Sequence, residues 1–202
     1  MTDSPNIISD IKSLKLMIEG GDTSTSLPLR RTGFDEDKDF IKFIRSIERL
    51  IRGSVEYHEW VRYIKETLGH SECTLTHERS CETNVDIHHH PINLFTIVKS
   101  VTNSYINKEK EFCSYDIALQ VIDLHFQNRI GYMPVLSDLH LKHHNGFLKL
   151  PIDHVHGDWM YIINNYPFED VDLQIVSEYS SVKSEDLKEV WTRNLYKGVV
   201  NE

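Results

Sequence analysis

Three consecutive histidines, His88, His89 and His90, stand in "VDIHHHPINLF" between an apolar alternation and a proline. Three more, His140, His143 and His144, stand in "LSDLHLKHHNG". Imidazole is the commonest protein ligand for transition metals, and histidine is the one side chain that titrates near neutral pH without help. Ten of the twelve histidines fall between residues 77 and 156. If the second stretch is a helix, His140 and His144 are four residues apart, on one face, and both rings can reach one cation. His143, three from His140, could take the place of His144. A strand ending in the first stretch sends His88 and His90 to one side and His89 to the other. Packed together, such a strand and helix would offer two or three metal-binding nitrogens and leave one imidazole free nearby. An all-imidazole set suits zinc, nickel or manganese better than magnesium, which prefers oxygen and keeps its waters.

The elements that must position these residues are legible in part. "GGDTSTSLPLRRTG" falls in an N-terminal stretch, 1–34, that reads as a mobile arm. Phe40, Phe43, Ile44, Ile47, Leu50 and Ile51 recur at helical period, with Gly53 just past the end. Ser54 then caps a second helix striped by Tyr57, Trp60, Val61, Ile64 and Leu68. Residues 35–69 are therefore expected to form a helical hairpin. "CTLT" and "NVDIHHH" alternate and read as a small antiparallel pair across "HERSCET". Pro91 suits the first turn of a helix carrying Leu94, Phe95, Val98, Val101 and Tyr105. A further helix over about 115–128 places His125 on its apolar stripe, where a buried, hydrogen-bonded histidine or a group orienting a ligand is expected. "GYMPVL" and "GFLKLP" read as short extended pieces, "SDLHLKHHNG" as a helix started by Ser and stopped by Gly. "DWMYIINNY" and "SEDLKEVWTRNLYKG" read as helices, the latter capped by Ser184.

Composition narrows the functional classes. With 40% hydrophobic residues the chain can build a core, and no run approaches the ~18 apolar residues of a membrane span. The three cysteines, Cys73, Cys81 and Cys113, lack paired spacing, so neither a disulfide framework nor a four-cysteine zinc site is signalled. The net charge of −9 disfavours loose nucleic-acid binding, which draws on Lys and Arg. No phosphate-binding glycine loop, G-x-S-x-G elbow or H-E-x-x-H motif is present. "MTDSPNIISDIKSLK" lacks the basic start and apolar stretch of a secretory signal, so a cytoplasmic location is expected.

"VDIHHHP" followed by "LSDLHLKHHNG" resembles the HNH, or His-Me finger, endonuclease family, whose motif is a β-hairpin followed by a short helix, the ββα-metal fold. The resemblance covers roughly residues 71–157 and extends to HNH-like proteins encoded by bacteriophages. It implies that His88, His140 and His144 bind one divalent metal ion (Mg, Mn, Zn or Ni), that His89 is the general base, and that DNA is the partner, in the cytoplasm of an infected host. Asn128 is the nearest candidate for the family's bracing asparagine, whose place falls near Gly131 by spacing. His125 and His143 would support the site. The sequence departs from the pattern in three ways: Pro91 is one residue closer to the base than usual, some forty residues separate the two motifs, and paired cysteines are absent.

The expectation is a mainly helical α+β protein, with a ββα-metal core at 70–157 carrying a helical insertion at 91–130 and a C-terminal helical extension at 158–202. Its function would be metal-dependent hydrolysis of nucleic-acid phosphodiesters. The alternative is a catalytically silent relative that binds a host or phage protein through an acidic surface, without membrane association. Beside these stand plainer roles for single residues. Asp86 could bind metal if the register slips, or be a solvent-facing strand residue; Asp138 is a first-turn helix acid. His154 and His156 could approach the site, and Arg79, Lys142 and Lys149 are the basic residues nearest to a bound phosphate.

Overall fold

The computed structural model describes residues 37–77 and 84–180. The expected arm at 1–34, Arg79, Cys81 and the helix expected from Ser184 lie outside these residues. The architecture is α+β and mostly helical: seven α-helices and one two-stranded antiparallel sheet among the described residues.

Helix α1 (Asp37–Gly53) buries Phe40, Phe43, Ile44, Ile47 and Ile51, the stripe that helical period requires. Asp37 and Asp39 in its first turn and Arg52 in its last complement the helix dipole. The chain reverses at Ser54, whose hydroxyl accepts from Tyr57 N at 3.1 Å and starts α2 (Val55–Arg62). A π-helical turn, Tyr63–Thr67, extends α2 and buries Ile64. Tyr57 and Trp60 are the buried residues of α2 proper, and both reach toward the sheet.

Strand β1 (Val85–His89) pairs antiparallel with β2 (Tyr132–Leu136), placing His88 opposite Met133 and His89 opposite Tyr132. This corrects the expected pairing with "CTLT". That segment lies along the other edge of β2, where Thr74 N donates to Pro134 O at 2.9 Å. Tyr132 turns its backbone to the same edge and exchanges hydrogen bonds with His156. A proline is tolerated in β2 because its missing N–H is not needed for pairing with β1.

Between the strands run α3 (Leu94–Asn107) and α4 (Ser114–Phe126). Pro91 is not in the first turn of α3. Asn93 caps that helix, its side chain accepting from Thr96 N at 2.9 Å, and Pro91 lies in the bend before it. At α4 the Cys113 N–H donates to Asp116 Oδ2 at 2.8 Å. Helices α1 to α4 share one hydrophobic core with Ile87 and Tyr132, so hairpin and insertion bury their apolar faces against each other.

Helix α5 (Ser137–His144) follows β2 without a loop and packs on both strands. Gly146, at φ +75°, takes the left-handed position that ends it. Leu139 of α5 joins Val85, Met133, Val135, Leu148 and Leu150 in a second, smaller core. The expected strand at "GFLKLP" does not form; the stretch runs beside α5 with Leu148 and Leu150 buried. Helices α6 (Trp159–Asn165) and α7 (Asp170–Ser180) follow, and α7 is held to α3 by Lys99 Nζ against Asp172 Oδ2 at 2.7 Å.

Candidate metal centre

Strand alternation and the β1–β2–α5 succession divide the histidines into two environments. His88 shares the Asp86 side of β1, which faces α5; His89 shares the Ile87 side, which faces α2 and α4.

On the α5 side five imidazoles gather. The His88 ring centroid is 4.6 Å from His140, 4.9 Å from His143, 5.3 Å from His144 and 5.9 Å from His90. Two sets of three could hold a metal ion: His88, His140 and His144, and His88, His90 and His143, with ligand atoms within 4.8 Å of one another in each. The structure thus brings together the three residues expected as ligands and adds His90, which period-two alternation had already put on the side of His88.

Neighbours orient these rings. His140 Nδ1 lies 2.9 Å from Asp86 Oδ2; a carboxylate only accepts, so Nδ1 carries the proton and Nε2 keeps its lone pair. That Nε2 is 2.8 Å from His144 Nε2. His143 Nδ1 donates to Leu148 O at 3.0 Å, and His90 Nε2 donates to Leu150 O at 3.1 Å. In each case the outer nitrogen is tied to a carboxylate or carbonyl and the inner one is left as a donor to a cation. Ligands at 2.0–2.1 Å in a tetrahedral shell stand ~3.3 Å apart, so an ion would part His140 and His144 by about half an ångström from their 2.8 Å contact.

Electrostatics favour the ligating form. Burial, then mutual repulsion with His140, His143 and His90, drives His88 far below its ordinary range. Burial and His143 push His90 down to about 3. Burial also lowers His143 and His144, to which neighbouring imidazoles add. Uncharged imidazoles at neutral pH are what a metal requires. His88 is 6% exposed and His144 is on the surface, so this set runs from the interior to solvent.

His89 is not brought into this group. Only 4% exposed, it stacks on Tyr57 and Trp60 at interplanar angles of 16° and 19°. Its Nε2 meets His125 Nε2 at 2.8 Å. His125 donates Nδ1–H to Val121 O at 2.7 Å, so its Nε2 accepts and His89 is the donor. His125 is the buried, hydrogen-bonded histidine its stripe suggests, and it supports His89, not a ligand of the cluster. Asn128 sits exposed past the end of α4 at φ +56°, its carbonyl accepting from Asp158 N. Gly131, where the family's asparagine would fall, has no room for a side chain: a Cβ would stand 2.3 Å from His90 O.

Of the remaining candidates, His156 packs against His70 at 4.1 Å on the outer edge of β2, and Tyr132 Oη is 3.2 Å from His70 Nδ1. Lys149 pairs with Glu178, and Lys142 and Asp138 are exposed on α5. Sequence reasoning missed Asp86 as the partner of His140, although aspartate two residues before a histidine on a strand shares its face. It also missed the Leu148 and Leu150 carbonyls and Tyr179, whose ring stands 4.6 Å from His90. No local signal marks those.

The model of one protein family, described as bacteriophage G278-like virion protein, matches residues 6–198, and the chain belongs to that family. No curated protein and no solved structure matches. Phage origin is thereby established, whereas the cytoplasmic expectation is not, because a virion protein need not remain in the host cytoplasm. Among the described residues no helix is long and apolar enough to cross a membrane.

Proposed function

We propose that this virion protein holds a divalent transition-metal ion on His88, His140 and His144 and hydrolyses nucleic-acid phosphodiester bonds with it, as an endonuclease of the HNH type. The observation that carries the reading is the meeting of a strand histidine with two histidines one helical turn apart, in a β–β–α succession. A divalent cation held there would supply Lewis-acid stabilisation of charge on the phosphate and leaving oxygen and would lower the pKa of a water bound to it. The residues of the chain do the rest. β1 fixes His88, Asp86 orients His140, and the exposed side beside His144 admits a phosphodiester. Lys142, exposed on α5, is a basic residue of that helix available to a bound backbone.

His89 has a different part in this proposal from the one the resemblance implies. Its ring is enclosed by Tyr57, Trp60 and His125, so it braces β1 against the helices and takes no proton from water. The proton of the attacking water passes to solvent through the open side.

A second reading is favoured by the family description and the charge of −9: a silent relative that docks to a host or phage protein, its metal serving only structure. A nicking assay on supercoiled plasmid with Mg, Mn, Ni and Zn separates the two. Nicking by the wild type with at least one metal, lost in His140→Ala, supports the endonuclease; no nicking with any metal leaves the second reading.

A further inference from the structure

Five imidazoles are more than one catalytic ion of the proposed kind needs, and their arrangement accounts for the surplus. We infer that His88, His90 and His143 hold a second cation, of the zinc class, beside the one at His88, His140 and His144, with His88 giving one ring nitrogen to each. The inference rests on the metal-binding part of the reading above, not on nuclease activity.

Three observations carry it. The five ligand atoms do not form one set within mutual reach; among the described residues they form two, with His88 common to both. The second set is built as the first is: His90 and His143 each donate an outer N–H to a carbonyl, of Leu150 and Leu148, leaving His90 Nδ1 and His143 Nε2 as donors to an ion. And no described residue hydrogen-bonds a ring nitrogen of His88, whereas every other ring of the cluster has a partner, so both of its nitrogens are open to an ion. An ion on each uses both.

The two positions differ in access. His90 is 1% exposed, and the Tyr179 ring lies 4.6 Å from it and 5.6 Å from His143. Lys149 against Glu178 ties α7 down beside the same residues. This position is shielded from solvent, whereas the other opens to it at His144. Neutral His88 carries one N–H. When the second cation binds, that proton leaves to solvent and the ring is shared as an imidazolate, with the ions ~6 Å apart given metal–nitrogen bonds of 2.0–2.1 Å.

The test is zinc content by mass spectrometry of the full chain, dialysed at pH 7.5 against a zinc buffer. About two zinc ions per wild-type chain are expected, falling to about one in His90→Ala, in His143→Ala and in His144→Ala, and below one in His88→Ala. Near-UV circular dichroism checks each fold; because His90 is fully enclosed, half-buried His143 decides should His90→Ala fail to fold. One zinc in the wild type, or wild-type content in His143→Ala, overturns the inference. Two zinc ions without nicking support it while removing the endonuclease; nicking with one zinc does the reverse.

Discussion

Asp86 on β1 accepts a hydrogen bond from His140 on α5 at 2.9 Å, and this one contact links strand to helix and decides which nitrogen of His140 faces the cluster. Carboxylate partners of ligating histidines fix the tautomer and raise ligand basicity. Asp86→Asn is therefore expected to weaken zinc affinity roughly 10–100-fold while leaving the fold intact. Competition with a chromophoric chelator measures it, and unchanged affinity would mean that His140 does not bind the ion.

His89 gives the opposite expectation. Its ring fills space between Tyr57 and Trp60 and satisfies His125, so His89→Ala leaves a cavity and an unpaired buried nitrogen. A loss of roughly 2–4 kcal/mol in urea unfolding is expected, with zinc content unchanged. Wild-type stability combined with complete loss of nicking would return His89 to the role of base.

Gly131 is a steric test of the junction between β2 and the turn at His90. A Cβ there would stand 2.3 Å from His90 O and 2.6 Å from Trp159 Cβ, and a backbone carbonyl cannot swing aside. Gly131→Ala is expected to cost roughly 3 kcal/mol and lower Tm by several degrees. A melting curve matching the wild type would show that the two segments are not in contact.

Acid should loosen the metal-free protein through its buried imidazoles. Burial holds His125 down to about 4 in the folded chain, against the ordinary 6.5. The folded state thus binds fewer protons than the unfolded one between these values. The contribution is complete above pH 6.5 and is lost as pH falls toward 4. In chelator, the unfolding free energy is expected to drop by roughly 1 kcal/mol per pH unit from this group below pH 6. Equal urea midpoints at pH 7 and pH 5 would contradict it.

How far the sequence carried the fold can be read from particular elements. The α1 stripe from Phe40 to Ile51 and the Ser54 cap are local signals, and both helices start where these put them; the second turns π-helical at Tyr63, and Leu68, expected on its stripe, is 43% exposed. Helix α5 was marked at its end by Gly146, but Ser137 is its first helical residue and not its cap; Leu136 stands at the cap and the Ser137 hydroxyl donates to Asn84 O. The partner of β1 was not legible, because pairing Val85–His89 with Tyr132–Leu136 across two helices is a long-range choice, and "CTLT" is nearer in sequence and equally β-prone. Within the site, one-turn spacing placed His140 beside His144, and alternation separated His89 from His88. The carbonyls of Leu148 and Leu150 come from irregular chain, which leaves no pattern to read.

The central claim is that His88 and the α5 histidines, far apart in sequence, close on one ion. Anomalous diffraction at the zinc edge, from crystals grown with zinc, tests it most directly. The account predicts a peak about 2.0–2.1 Å from a nitrogen of each of His88, His140 and His144. Zinc bound elsewhere, with those three rings bare, would contradict it.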